Sequence, residues 1–154
     1  MSQRLSEHAA FTLIETTDVG GTTAATGRVS MKNFARAMAY VEIGTWDAAD
    51  DLDHCRIEAY AAETGGSATE VTTDASGGDY DTANPVDADG DFVIIEIRAE
   101  DLPDASPWIR LVVGEDGNTG VDNVTALLIR YGYAYPQKEL NGAAATGSKV
   151  YVQP

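Results

Sequence analysis

The sequence predicts an all-β protein: an antiparallel two-sheet sandwich, jelly-roll-like, with long loops and little helix. Three observations carry this. Gly and Asp recur at Gly20-Gly21, Gly65-Gly66, Gly77-Gly78, Asp89-Gly90 and Asp116-Gly117-Asn118, cutting the chain into short apolar segments joined by turn chemistry. Those segments alternate apolar and polar residues with a period of two. No helix pairs are available to cover a parallel sheet, which leaves sheet packed on sheet. Seven or eight strands joined by uneven loops suit a jelly roll, and an immunoglobulin-like strand order fits the same pattern.

In chain order, residues 1–8 form an N-terminal arm, 9–136 the sandwich domain and 137–154 a C-terminal tail or arm. Residues 9–15 read as a half-buried strand with Ala9, Phe11 and Leu13 on one side. Residues 31–43 are ambiguous: Met31, Phe34, Ala35 and Met38 match helical spacing, whereas Ala37, Ala39, Val41 and Ile43 match a strand. Residues 54–62 alternate Cys55, Ile57, Ala59 and Ala61 against Arg56, Glu58 and Tyr60. Between Thr64 and Asp91 the chain is polar and Gly-rich, a long loop with room for one edge strand near Thr69–Thr72. The β-branched run Phe92–Arg98 is a central strand with Val93, Ile95 and Ile97 on one face. Asp101-Leu-Pro-Asp104 reads as one helical turn capped by Asp101, with Pro103 in its first turn. Ile109, Leu111 and Val113 repeat the strand pattern, as do Leu127, Ile129, Tyr131 and Tyr133. The tail is Gly- and Ala-rich until Val150-Tyr-Val152, which suits an arm that orders on a neighbour or a frayed end.

A chain of 154 residues and 16.3 kDa fits one domain that needs no metal or disulfide to fold. The lone Cys55 can form no intramolecular disulfide, and its alternating context predicts a small buried thiol. The first eighteen residues lack a basic n-region followed by an apolar h-region, and no window approaches the ~20 apolar residues of a membrane span. A soluble product without a recognisable secretion signal is therefore expected. The charge is one-sided: 25 acidic against 10 basic residues, net −15, which argues against direct nucleic-acid binding. Local acidic runs such as Asp47–Asp53 concentrate the repulsion.

Few constellations could carry chemistry. Asp87, Asp89 and Asp91 alternate around Gly90 and could offer oxygen ligands to Ca²⁺, but a helix-loop-helix site wants its glycine at the sixth loop position and Glu at the twelfth. Here Gly90 is fourth and Arg98 twelfth, so an acidic turn is the reading taken. His8 beside Glu7 and His54 beside Asp53 have no nucleophile or second ligand in frame, and Cys55 faces away from His54 on a strand. Carboxylate pairs such as Glu96 with Glu100 or Asp101 arise by chance in so acidic a chain. No catalytic residue, cofactor site or metal ligand is assigned, and an enzyme is not expected. Trp46, Trp108, Tyr131, Tyr133 and Tyr135 fall at strand ends, where aromatics stack on sugars, anchor protein contacts or fill a core.

Four segments carry a likeness: Leu5-Ser-Glu-His8 before an apolar run, GRVSMKNFARAMAYVEIGTW over Gly27–Trp46, Glu96–Ser106 leading into Trp108–Gly114, and the tyrosine-rich Leu127–Pro136. In order and spacing they resemble head decoration (cement) proteins of tailed bacteriophages, over most of the chain. The resemblance implies a jelly roll, a turn at Lys32-Asn33 followed by a strand through Gly44, and a place on the outer capsid surface of the virion. It implies as partners the major capsid protein and further copies of this chain, as a homotrimer or dimer. The arm Met1–His8 would face the capsid and the Thr64–Asp91 loop the solvent. The acidic loop and the tail are longer than in such proteins, which bears on oligomer geometry. A carbohydrate- or receptor-binding sandwich, or a phage tail subunit, are the alternative readings.

Overall fold

The computed structural model describes residues 9–46, 52–71, 88–115 and 120–133, the last of these by its backbone. Among these residues nine strands cover Ala9–Asp18 (β1), Thr23–Ala25 (β2), Val29–Ser30 (β3), Phe34–Ile43 (β4), His54–Tyr60 (β5), Thr69–Glu70 (β6), Phe92–Arg98 (β7), Trp108–Gly114 (β8) and Asn123–Tyr133 (β9). They form two antiparallel sheets. The first has the order β1-β9-β4-β7; the second has the order β2-β8-β5-β6, with β3 also on β8.

That order is the jelly roll. Taking β2 and β3 as one interrupted edge strand, the pairs β1·β9, β2/β3·β8, β4·β7 and β5·β6 are nested in the chain like the rungs of one long hairpin. The hairpin folds over so that β9 also meets β4 and β8 also meets β5. Between β2 and β3 the ladder is completed by a side chain: buried Thr26 donates its backbone N–H to the Leu111 carbonyl at 3.0 Å, and its Oγ1 accepts the Leu111 N–H at 3.0 Å.

The core lies between the sheets. From the first it takes Ala10, Ile14, Ala37, Ala39, Val41, Ile43, Val93, Ile95, Ile97, Val124, Ala126 and Leu128. From the second it takes Cys55, Ile57, Ile109, Leu111 and Val113. Trp46, Leu52, Met31 and Phe34 close its ends, and the Arg130 guanidinium lies 4.7 Å from the Phe34 ring centre while donating to the Ser30 carbonyl at 2.6 Å. The ambiguous segment resolves as a turn and a strand. The Phe34 N–H donates to the Met31 carbonyl across Lys32-Asn33, and from Ala37 onward every second residue is buried.

Two strands take the opposite phase from the one their sequence suggests. On β1 the core face carries Ala10 and Ile14, leaving Leu13 half exposed; on β9 it carries Val124, Ala126 and Leu128, leaving Leu127, Ile129 and Tyr131 outside. The two shifts are one event, because β1 and β9 pair Leu13 with Leu127 and Phe11 with Ile129. The cause is space: neighbouring β4 presents Ala37 and Ala39 to the same core face, and small residues let the sheets close over the larger side chains of β5 and β8. The helical turn also moves, from Asp101–Asp104 to a 3-10 turn at Ala99–Asp101. Asp101 sits at its end rather than its start, and its carboxylate accepts the Arg98 N–H at 3.2 Å, because Pro103 can supply no further N–H to continue it.

Close backbone packing fixes Gly114. A Cβ on Gly114 would lie 2.5 Å from the Thr22 carbonyl oxygen and 2.7 Å from Thr23 Cα, backbone atoms that cannot rotate away. Gly114→Ala is expected to cost about 1–3 kcal/mol, read as a lower midpoint with unchanged slope in urea unfolding; a neutral result would mean that β2 is not seated on β8.

Candidate interaction surface

The two outer faces of the sandwich differ sharply. On the second sheet, His54, Arg56, Glu58 and Tyr60 point outward from β5, and Trp108, Arg110 and Val112 from β8, in the cross-strand pairs Tyr60–Trp108 and Glu58–Arg110. Glu58 is only 3% exposed. Its carboxylate accepts from Arg56 Nε at 2.9 Å, Arg110 Nε at 2.8 Å and the Tyr60 hydroxyl at 2.6 Å. The Arg28 guanidinium stacks 3.4 Å above the Tyr60 ring and donates to the carbonyls of Ala62 and Gly65, tying β3 to the turn after β5. Burial alone would push the Glu58 carboxyl upward, but the donated hydrogen bonds from Tyr60, Arg110 and Arg56 together outweigh it and hold it below the usual carboxylate range. This face is polar and saturated with its own partners.

The first sheet's outer face is apolar. The register sets four rows across β1, β9, β4 and β7: Ala9–Tyr131–Arg36–Arg98, then Phe11–Ile129–Met38–Glu96, then Leu13–Leu127–Tyr40–Ile94, and last Thr16–Thr125–Glu42–Phe92. The two middle rows are aliphatic and aromatic but for Glu96. Leu13, Ile94 and Phe92 are 50%, 54% and 58% exposed, and Phe92 stacks on Tyr40 with ring centres 5.8 Å apart. Charges are held to the rim. Arg36 pairs with Glu96 at 2.9 Å, and Glu96 also accepts the Tyr131 hydroxyl. The hydrogen bonds from Tyr131, foremost, and from Arg36 hold the Glu96 carboxyl below the usual carboxylate range, and the hydrogen bond to Glu96 raises the Arg36 guanidinium. An antiparallel sheet ordinarily turns polar residues to solvent on the face opposite the core; a contiguous apolar patch there marks a contact surface.

The residues singled out from sequence scatter over the molecule. Trp46 is buried in the core, Trp108 lies on the second sheet and Tyr131 on the first, so these three form no common stacking platform; the Tyr133 side chain and Tyr135 lie outside the described residues. Asp89 and Asp91 serve the turn into β7: Asp89 accepts the Trp46 N–H at 2.8 Å, Asp91 the Ala88 N–H at 3.3 Å, and Gly90 takes a φ of +87° that favours glycine. Asp87 and His8 lie outside the described residues. His54 Nδ1 is 3.0 Å from the Arg56 guanidinium, and Cys55 faces the core on the other side of the strand. Glu100 pairs with Arg98 at 3.1 Å.

At one end of the sandwich, Asp18 accepts the N–H groups of Gly20 and Asp122, and buried Glu115 accepts that of Gly21 at 2.8 Å. These carboxylates tie loops together, and among the described residues no group of three His, Cys, Asp or Glu is placed to hold a metal ion. No helix there is long and apolar enough to cross a membrane.

Reading the sequence missed the apolar outer face. The signal was present: Phe92-Val-Ile-Ile and Ala126-Leu-Leu-Ile are apolar at both phases, which a strand needs only when both of its faces are covered. Comparison with protein-family models, with curated proteins and with solved structures returned no match to this chain.

Proposed function

We propose that this protein is a structural component of a virion, a decoration protein that binds the outer surface of a tailed-phage head across major capsid subunits and stabilises it. The apolar outer face of β1-β9-β4-β7 is the observation that carries a role in assembly. The likeness of Gly27–Trp46, Glu96–Gly114 and Leu127–Pro136 to head decoration proteins directs that role to a capsid, and the jelly roll agrees with it. Action is by burial of surface. On a lattice, many weak contacts made by an oligomer add as avidity, so no single strong site is required. The strongly acidic remainder of the surface, net −15 over the chain, keeps the outside of a decorated particle solvated. A sugar-binding role is less well supported, since Trp46 is buried in the core while Trp108 and Tyr131 lie on opposite sheets.

The reading is tested by adding purified protein to expanded heads that lack decoration and following DNA release on heating. Release at a higher temperature, saturating with added protein, is the expected result. Heads that release their DNA at an unchanged temperature, however much protein is added, would remove the stabilising role.

A further inference from the structure

We infer that the outer face of β1-β9-β4-β7 packs against the same face of a second copy of this chain, as a two-fold dimer. The face itself presents Phe11, Leu13, Met38, Tyr40, Phe92, Ile94, Leu127 and Ile129 in adjoining rows.

Electrostatics also favours a second copy at this face. A chain with 25 acidic and 10 basic residues repels itself over most of its surface, so two copies can meet only where charge is balanced or absent. The saturated Glu58 face meets that condition but has no apolar centre. The first sheet's face has an apolar centre, with Arg36 and Arg98 on one rim, Glu42 on the other, and Glu96 on the β7 edge in an ion pair with Arg36. A two-fold axis lying in the interface and perpendicular to the strands reverses the strand direction. It would set Arg36 of one copy over Glu42 of the other, and Arg98 over the exposed Phe92 ring, where a guanidinium is attracted to an aromatic face.

The area is sufficient. Four strands spaced about 4.8 Å apart and four rows about 6.8 Å apart make a face of roughly 19 by 27 Å. With side-chain relief, two such faces would bury on the order of 1,000–1,400 Å², the lower end of stable interfaces. The packing is that of one sheet on another, with strands aligned within about 30°. It does not depend on the capsid reading, since the self-contact is argued from this face alone.

Sedimentation velocity on the full chain tests it, from about 1 to 100 µM, with wild type, Ile94→Lys and Leu13→Lys. Both substituted positions are at least half exposed and on opposite edge strands, so thermal unfolding of the isolated chain confirms that each variant keeps its fold. A wild-type dimer is expected, tightening as salt rises because screening relieves the like charge. Each lysine should weaken it by about a hundredfold, since the two-fold buries every substitution twice. A wild type that stays a single copy to 100 µM would overturn the inference. So would a trimer or larger ring, or a dimer that both lysines leave intact. Head binding by a monomeric Ile94→Lys variant would leave the decoration reading standing while the dimer is judged separately.

Discussion

Leu128→Ala is expected to destabilise the fold by about 3–4 kcal/mol, whereas Leu127→Ala, one residue away, should cost about 1 kcal/mol. Leu128 is fully buried between the sheets, across from Ala39 on β4 and Thr12 on β1, so its truncation leaves a cavity that small neighbours cannot fill. Leu127 lies on the outer face between Leu13 and Tyr40 and is already partly wet. Urea unfolding at a protein concentration below any self-association reads both values directly. Equal costs, or the reverse order, would mean that β9 faces the other way and that the apolar patch is not at the surface. The same pair bears on assembly, because Leu127→Ala removes area from the outer face and Leu128→Ala does not.

Glu58→Ala is expected to cost about 3 kcal/mol, toward the low end for a broken buried ion pair because Arg110 keeps a third of its side chain in water. Removal of the carboxylate leaves two guanidinium groups and the Tyr60 hydroxyl without their shared acceptor. The pH dependence follows from the direction of the shift. Glu58 is held below its ordinary range in the fold, so its stabilisation is complete above the unfolded carboxyl value of about 4.3 and is lost as pH falls through the lower folded value. Wild type should therefore lose stability on acidification below about pH 4.5 more steeply than Glu58→Gln, which is less stable at neutral pH but has no carboxyl to protonate there. Parallel acid limbs in chemical unfolding from pH 7 to 3 would show that the network is not formed in solution.

Much of the fold was legible in the sequence. The β-rich architecture follows from turn chemistry at Gly20-Gly21, Gly65-Gly66 and Asp89-Gly90 and from period-two alternation. The strands at 54–60, 92–98 and 108–114 stand with Cys55, Ile57, Val93, Ile95, Ile97, Ile109, Leu111 and Val113 inward, but Ala61, expected on the inward face, is exposed beyond the end of β5, and β7, expected to be central, is an edge strand that pairs with β4 alone. The phase of β1 and β9 was not legible, because side-chain size points one way and sheet closure the other. Leu127, Ile129 and Tyr131 are the larger residues, yet Val124, Ala126 and Leu128 fit the space that β5 and β8 leave. Local pattern cannot report that space, which belongs to the opposing sheet. β2 and β3 were missed for a related reason: they are short, and what holds them on β8 is the Thr26 side chain and close approach at Gly114, neither of which has a periodic signature.

The candidate surface was hidden by the same ambiguity. An apolar residue looks like core wherever it occurs in a sequence, so Leu13 and Leu127 could be recognised as surface only after the register placed them beside Ile94, whose outward phase the Val93, Ile95 and Ile97 pattern already implied. Glu58 shows the converse. A carboxylate on an outward strand position reads as solvated, and only the convergence of Arg56, Arg110 and Tyr60 around it makes it buried. The two faces thereby acquire different physical characters, one closed by its own charges and one left for another surface.

The proposed decoration role is decided by co-sedimentation with expanded phage heads stripped of decoration, with copies bound per head counted at saturation. A decoration protein should bind saturably at a fixed stoichiometry of hundreds of copies per head, set by the capsid lattice and reached at micromolar protein. Absence of pelleted protein at that concentration, or uptake that rises without limit, would contradict it.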